Sequence, residues 1–232
     1  ALNSEISEVN GEALTTLGRA KERLGKLDEA EKYYRDALNI YRQNPKFRFL
    51  YAETQLGLGS VLVTLEKFDE AEKELLESQT IFKDTQGENS MPVAEMQNYL
   101  IFLYYTKGDY QKCESLGAEN RKMFIDNGGK DTNGYFATLD YLGVAMAKNG
   151  KAKEGETILR ESLEKRTKTA VPDDWRIFRA KSLLAVCLIE QNKFDEAEKL
   201  LLESRDFFSK TYGETDSRTR ETNKYLQQLS DK

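Results

Sequence analysis

Hydrophobic residues recur along the chain at helical spacing, in pairs of segments separated by short polar turns. In the first pair, Leu14, Leu17 and Leu24 come before a turn at Gly25, and Tyr33, Ala37 and Ile40 come after it. Apolar residues spaced at i, i+3, i+4 and i+7 form a stripe along one side of an α-helix, and that stripe packs against a neighbouring element. Each pair of segments therefore predicts a helical hairpin.

The hairpin pattern occurs five times. Nearly the same heptapeptide follows three of the turns, at 26–32, 67–73 and 193–199, and weaker copies occupy 108–114 and 150–156. Its fifth position is small, at Ala30, Ala71, Cys113, Gly155 and Ala197, and a leucine stands thirteen residues earlier, at Leu17, Leu58, Leu100, Leu142 and Leu184. The small residues are 41, 42, 42 and 42 residues apart. A fixed period of this length predicts stacked helical units.

Residues with special backbone preferences mark the expected helix ends. Gly25, Gly108, Gly150 and Asn192 are expected to end first helices, because glycine and asparagine accept the left-handed conformation at low cost. Asp28, Asp69, Asp109 and Asp195 are expected to cap the second helices and to interact with their dipoles. Pro45, Pro92 and Pro172 are expected to lie between units and not inside a helix.

This register divides the chain into one array. Its units span about 11–51, 52–93, 94–135, 136–177 and 178–214. A final segment, 215–232, carries Tyr225, Leu226 and Leu229 on one side and is otherwise polar. It is expected to form a capping helix, because a repeat array needs a polar outer surface at its end.

The leucine with its following small residue, the turn glycine and the later small residue together resemble the tetratricopeptide repeat. The resemblance covers about residues 11–212. It implies an all-α fold, a right-handed α-solenoid of five helical hairpins plus a C-terminal capping helix. The long spacing is similar to that of kinesin light chains and of the C-terminal arrays of bacterial eukaryote-like serine/threonine kinases.

Composition excludes several classes of chemistry. The chain of 232 residues has 35 Lys and Arg, 40 Asp and Glu, a net charge of −5 and no histidine. Without imidazole there is no serine–histidine or cysteine–histidine nucleophile and no histidine metal site. The acidic pairs at Asp28, Asp69 and Asp195 recur at the repeat period, so they are expected on successive helices and not around one catalytic or calcium centre. We therefore expect neither catalytic activity, nor a cofactor, nor a metal.

The same composition bears on partners and location. Interspersed charges disfavour a nucleic-acid surface, and no apolar run is long enough to cross a bilayer. Cys113 and Cys187 lie in apolar helical patterns and are expected to be two buried thiols, which favours a reducing, cytoplasmic location. The chain begins at Ala1, without methionine, as a processed or excised piece of a larger protein would.

The first helix of each unit is expected to line a concave groove, as the resemblance implies. In the leucine register, the middle of this groove is aromatic and polar. The residues expected to contact a partner are Asn98, Tyr99, Phe102, Tyr105, Asp140, Tyr141 and Val144, with Arg19 and Arg179 available for acidic groups. Tyrosine hydroxyls and an asparagine amide suit the backbone of a peptide. For the aromatic residues, burial between units is the alternative, since an error of one position rotates a helical side chain by about 100°.

These observations favour a protein-interaction scaffold that binds a peptide segment of a partner protein in its concave groove. The alternative is a structural or self-associating regulatory tail of a larger signalling protein, such as a serine/threonine kinase.

Overall fold

The computed structural model describes residues 2–169 and 174–231, and these residues form helices and no strands. The helices are α1 (Leu2–Arg23), α2 (Leu27–Tyr41), α3 (Arg48–Thr64), α4 (Phe68–Gln86), α5 (Met91–Lys107), α6 (Tyr110–Asp126), α7 (Asn133–Lys148), α8 (Ala152–Thr169), α9 (Trp175–Ile189), α10 (Phe194–Tyr212) and α11 (Ser217–Ser230). A short 3-10 helix, Pro45–Phe47, precedes α3. The predicted all-α class is confirmed. Pro172 and Lys232 lie outside the described residues.

The helices belong to two compact units. The N-terminal unit comprises Ala1–Asp109 and Met123–Gly128, and the C-terminal unit comprises Tyr110–Lys122 and Gly129–Lys232. Within the first, α1 packs on α2, α3 packs on α4, and each first helix also contacts the next first helix. Within the second, α7 packs on α8, α9 packs on α10, and α11 packs on α10 and α9. Four of the predicted hairpins and the helix after the last of them are thus present, and α5 and α6 occupy the sequence positions of the third hairpin.

The turns inside the hairpins share one backbone conformation. Gly25, Gly108 and Gly150 take φ values of +70°, +79° and +85°, and Asn192 takes +58°, as predicted. In the second hairpin Glu66 occupies this left-handed position at φ +59°. The next amide donates a hydrogen bond back to the fifth residue before it, for example Lys67 N–H to the Leu62 carbonyl at 2.9 Å. This bond satisfies a carbonyl that the helix leaves open at its end.

The predicted caps are wrong for three of the second helices. Asp28, Asp69 and Asp195 are the second residues of α2, α4 and α10, and the N-cap positions are lysines whose side chains make no cap hydrogen bond. Side-chain caps occur instead at Thr132, Asp174 and Asp216 on α7, α9 and α11. The aspartates still interact favourably with the helix dipoles, because they lie in the first turn.

The prediction that prolines avoid helices also needs correction. Pro45 opens the short 3-10 helix, and Pro92 is the second residue of α5. Both positions lie in the first turn of their helix, where no backbone N–H is required for an internal hydrogen bond. Helix formation is therefore undisturbed by either residue.

The landmark residues of the repeat form the core. Leu58, Leu100, Leu142 and Leu184 are buried, as are the small residues Ala30, Ala71, Cys113 and Ala197. Leu17 is the exception, with 43% of its surface exposed. Both cysteines are buried thiols that form no disulfide in the described part of the chain, as predicted. Burial raises the pKa of Cys187 to about 12, so this thiol stays protonated at neutral pH.

Ion pairs connect each second helix with the turn of the next hairpin in its unit. A glutamate in the second turn of the helix accepts from a lysine about 36 residues later in sequence. The pairs are Glu31–Lys67 (2.8 Å), Glu72–Lys107 (3.5 Å), Glu114–Lys151 (2.5 Å) and Glu156–Lys193 (2.7 Å). We call this series the lysine–glutamate ladder. Its charges recur with the same period as the core, and partly exposed pairs of this kind add a small stabilisation.

Candidate functional site

Four of the predicted contact residues lie on one side of α5. Asn98, Tyr99, Phe102 and Tyr105 are all half-buried, and their spacing places them along a single stripe of the helix. We call them the α5 strip. Burial raises the pKa of Tyr99, and the nearby Glu22 and Glu95 raise it further. The Tyr99 hydroxyl is therefore a neutral hydrogen-bonding group at physiological pH.

A groove lies beside α1 and α3 in the N-terminal unit. It encloses about 260 Å³ and is lined by Glu12, Thr15, Thr16, Arg19, Tyr41, Leu50, Glu53 and Thr54. We call it the N-terminal groove. Arg19, one of the predicted site residues, is exposed in its wall. Thr15 and Thr54 join the two helices through their hydroxyls, 3.2 Å apart.

Tyr34 of α2 packs against the first helices α1 and α3. The ring of Tyr34 fits between Gly18 and Gly57, where added Cβ atoms would lie only 2.8 Å and 2.6 Å from ring carbons. Its hydroxyl donates to Glu22 at 2.9 Å, and Ser60 donates to the other oxygen of that carboxylate at 2.9 Å. Glu22 is thus held in place as a charged group on this side of the unit. Glycine is required at both positions because any side chain would displace the ring.

The predicted residues of α7 are buried within the C-terminal unit. Asp140 is 2% exposed, and its carboxylate accepts from Arg166 at 2.6 Å and from Ser162 at 2.9 Å. Val144 is also buried. Burial raises the pKa of Asp140, opposed by the positive charges of Arg166 and Arg179. The Asp140 carboxylate is therefore used in the contact between α7 and α8.

Tyr141 and Arg179 form a second pair in the same unit. The Arg179 guanidinium donates to the Tyr141 hydroxyl at 2.8 Å and lies 5.1 Å from the centre of its ring. Burial raises the pKa of the Tyr141 hydroxyl, whereas Arg179 lowers it. Tyr141 is 6% exposed and Arg179 is half-buried. The structure thus brings together these two predicted residues from α7 and α9, and the half-buried guanidinium is the more accessible of the two.

Three glutamates on the first helices were not recognised from the sequence. Glu12 of α1, Glu53 of α3 and Glu95 of α5 are exposed, and each stands five residues before a landmark leucine. We call them the first-helix acids. The repeat register could have revealed them, since they are 41 and 42 residues apart. Among the described residues, none of the three carboxylates takes part in a hydrogen bond or an ion pair.

Within the residues that the structure describes, no helix is both long and apolar enough to cross a membrane. No group of three or more cysteine, aspartate and glutamate side chains there is placed to hold a metal ion.

Comparison with known proteins identifies the fold. Residues 10–84 match the tetratricopeptide repeat family. No curated protein sequence matches the chain. The structure is similar to that of BtubC (BKLC) from P. vanneervenii, with a TM-score of 0.67 and 17% identity over 87% of this chain and 81% of that one. A putative kinesin light chain from Podospora anserina, with nearly identical TPR-like repeats, gives a TM-score of 0.65 and 18% identity over 86% and 95%.

A third similar structure contains a bound factor. A Rap protein complexed with Competence and Sporulation Factor gives a TM-score of 0.71 at 11% identity, over 95% of this chain and 65% of the Rap chain. The family match thus covers the first two hairpins, and the similar structures show that the helical-hairpin fold extends over most of the chain. Folds of this type expose extended surfaces for binding other proteins.

Proposed function

We propose that this protein is a non-catalytic interaction module, located in the cytoplasm, that binds a peptide segment of a partner protein on its first helices. The α5 strip carries the proposal. It presents two tyrosine hydroxyls, an amide and aromatic surface, all half-buried, along one side of one helix. Side chains of this kind supply contact area and hydrogen bonds at a small cost in conformational entropy.

Further residues extend the proposed binding surface within each unit. Arg19 adds a cation in the wall of the N-terminal groove, and Arg179 adds one on α9. In the proposal, Tyr141 holds the Arg179 guanidinium, and Asp140 and Val144 support α7 from inside the core. The Rap structure with its bound factor supports this reading as a precedent for the fold, at an identity that carries no residue roles.

Selection of peptides from a random library, followed by fluorescence anisotropy, tests the proposal. We expect enriched peptides to bind at least about tenfold more weakly to Asn98→Ala and Tyr99→Ala, because each change removes a hydrogen-bonding group and contact surface. Tyr141→Phe should weaken binding less, since it removes only the hydroxyl that holds Arg179.

Matched changes on a second helix serve as controls. Tyr33 of α2 is half-buried and Asn39 of α2 is exposed, so Tyr33→Ala and Asn39→Ala should leave peptide affinity unchanged. Circular dichroism would confirm that every variant is folded. Failure to enrich any peptide, or equal losses in both sets of variants, would contradict the proposal. A concentration-dependent dimer in sedimentation, without peptide binding, would favour the self-associating tail instead.

A further inference from the structure

The charges beside the N-terminal groove indicate which kind of peptide it binds. We infer that the first helices of the N-terminal unit bind a basic segment of a partner protein, in extended conformation, through Glu12, Glu53 and Glu95. This inference rests on the proposed function and specifies the chemistry of its partner.

The first-helix acids differ in pairing from the glutamates of the lysine–glutamate ladder. On the second helices, Glu31 and Glu72 each accept from a lysine of the next turn, and Glu31 also pairs with Arg35. These charges are neutralised within the fold. The first-helix acids make no such contacts among the described residues, so their charge is available to a ligand.

Nearby groups add to the negative charge. Glu12 and Glu53 stand in the groove wall together with one cation, Arg19. Glu22 and Glu95 act with Glu53 on the Tyr99 hydroxyl, and Glu8, Glu12 and Glu53 act on that of Tyr41. Both hydroxyls thus lie in a field made mainly by carboxylates. A cationic segment is attracted to such a surface, and an acidic one is repelled.

The groove is more than a row of charges. Tyr41 and Leu50 contribute apolar surface to the groove wall, and Thr16 contributes a hydroxyl. The α5 strip adds aromatic surface elsewhere in the same unit. Lysine and arginine have apolar stems with charged ends, which suits a surface that offers both aromatic rings and carboxylates. The structure therefore favours a peptide over a small cation.

Spacing gives the expected sequence pattern of the ligand. α1 contacts α3, and α3 contacts α5. Packed helices lie about 8–10 Å apart, and an extended chain advances about 3.3 Å per residue. Equivalent acids on successive first helices therefore match basic residues about three positions apart.

The test uses three acetylated, amidated peptides of about nine residues, labelled with fluorescein. One has lysine at every third position, the second has the same lysines in one adjacent block, and the third has glutamate in place of lysine. We expect the evenly spaced peptide to bind tightest and the glutamate peptide not to bind. The affinity of the evenly spaced peptide should fall as salt rises from about 50 to 300 mM, because screening weakens contacts between exposed charges.

Two triple variants remove the same number of negative charges, one from first helices and the other from second helices. Glu12→Gln, Glu53→Gln and Glu95→Gln together should weaken binding of the evenly spaced peptide at least about tenfold. The control changes Asp36→Asn, Glu77→Gln and Asp126→Asn on α2, α4 and α6, where the acids are also exposed. It should weaken binding less than about twofold.

The outcomes separate this inference from the proposed function. Equal losses in the two triple variants, or equally tight binding of spermine, would overturn the inference by showing attraction to net charge alone. Library peptides that depend on Tyr99 but contain no basic residues would also overturn it, while leaving the proposed function intact. If no peptide of any kind binds, both fail.

Discussion

At the scale of single residues, Asp140 owes its buried position to one partner. Its carboxylate accepts a hydrogen bond from Arg166, a residue of α8 whose side chain reaches back to α7. A polar residue on an apolar stripe is compatible with exposure or with a buried partner. Only the position of that partner decides between them.

Glu66 allows a test of backbone strain at the turns. It occupies the left-handed position that glycine fills in three other turns, and this conformation costs a residue with a side chain roughly 1–2 kcal/mol. Glycine relieves this strain, but its greater freedom in the unfolded chain offsets part of the gain. We therefore expect Glu66→Gly to raise the free energy of unfolding by about 0.5–1 kcal/mol. Urea denaturation measures the change.

Asn192→Gly is the matched comparison, because Asn192 has nearly the same φ and asparagine tolerates it better. Its gain should be smaller than that of Glu66→Gly. A loss of stability in the Glu66 variant would show that this side chain makes a compensating contribution.

At the scale of the elements, periodicity predicts helices well and their ends less well. The left-handed residues ended the first helices where expected, since the chain offers few alternatives. The aspartates did not cap the next helices because a lysine takes the N-cap position after each backbone-bonded turn. The predicted groove positions differ in burial between two helices. The same register gives half-buried side chains on α5 and buried side chains on α7.

The lysine–glutamate ladder predicts a specific response to acid. Partial burial acts to raise the pKa of Glu156, but hydrogen bonds from Lys193, Gln191 and Arg160 lower it to about 2. Since the folded pKa lies below the reference value of 4.5, the stabilisation is complete above pH 4.5 and is lost as the pH falls toward 2. At pH 7, Glu156→Gln should lower the free energy of unfolding by about 1 kcal/mol, because solvent screens this pair.

The difference between Glu156→Gln and the wild type should shrink as the pH falls below 4.5 and should be largely lost near pH 2 in urea denaturation. Glu154→Gln is the control on the same helix, where the side chain is exposed and no ion pair is lost. A difference that stays constant from pH 7 to 2.5 would mean that the ion pair does not cause it.

For the whole molecule, the absence of histidine agrees with an interaction surface based on carboxylates, tyrosines and arginines. The all-α fold and the hairpin units followed from the repeat alone. The charge pattern of the first helices needed the structure, because only pairing distinguishes a neutralised acid from an available one.

Helix α11 closes the C-terminal unit, which predicts the effect of removing it. Thr219, Thr222 and Tyr225 are buried where α11 packs on α10 and α9. Truncation after Gly213 would expose that surface, so we expect a lower melting temperature and increased binding of a hydrophobic dye. Thr222→Ser, which keeps the hydroxyl near Ser182, should change little. A truncated chain as stable as the full one would show that α11 contributes nothing to the unit.

The lysine–glutamate ladder also sets a rule for exchanging hairpins between repeat proteins. Each hairpin offers a glutamate to the one that follows and a turn lysine to the one before. The third turn departs from this pattern, since Asp109 replaces the lysine and Lys107 reaches Glu72 at the longer distance of 3.5 Å. A transplanted hairpin with a lysine at the turn should therefore fit after α2 or α8 without further change. An insertion at the third turn would have to supply its own partner for Glu72.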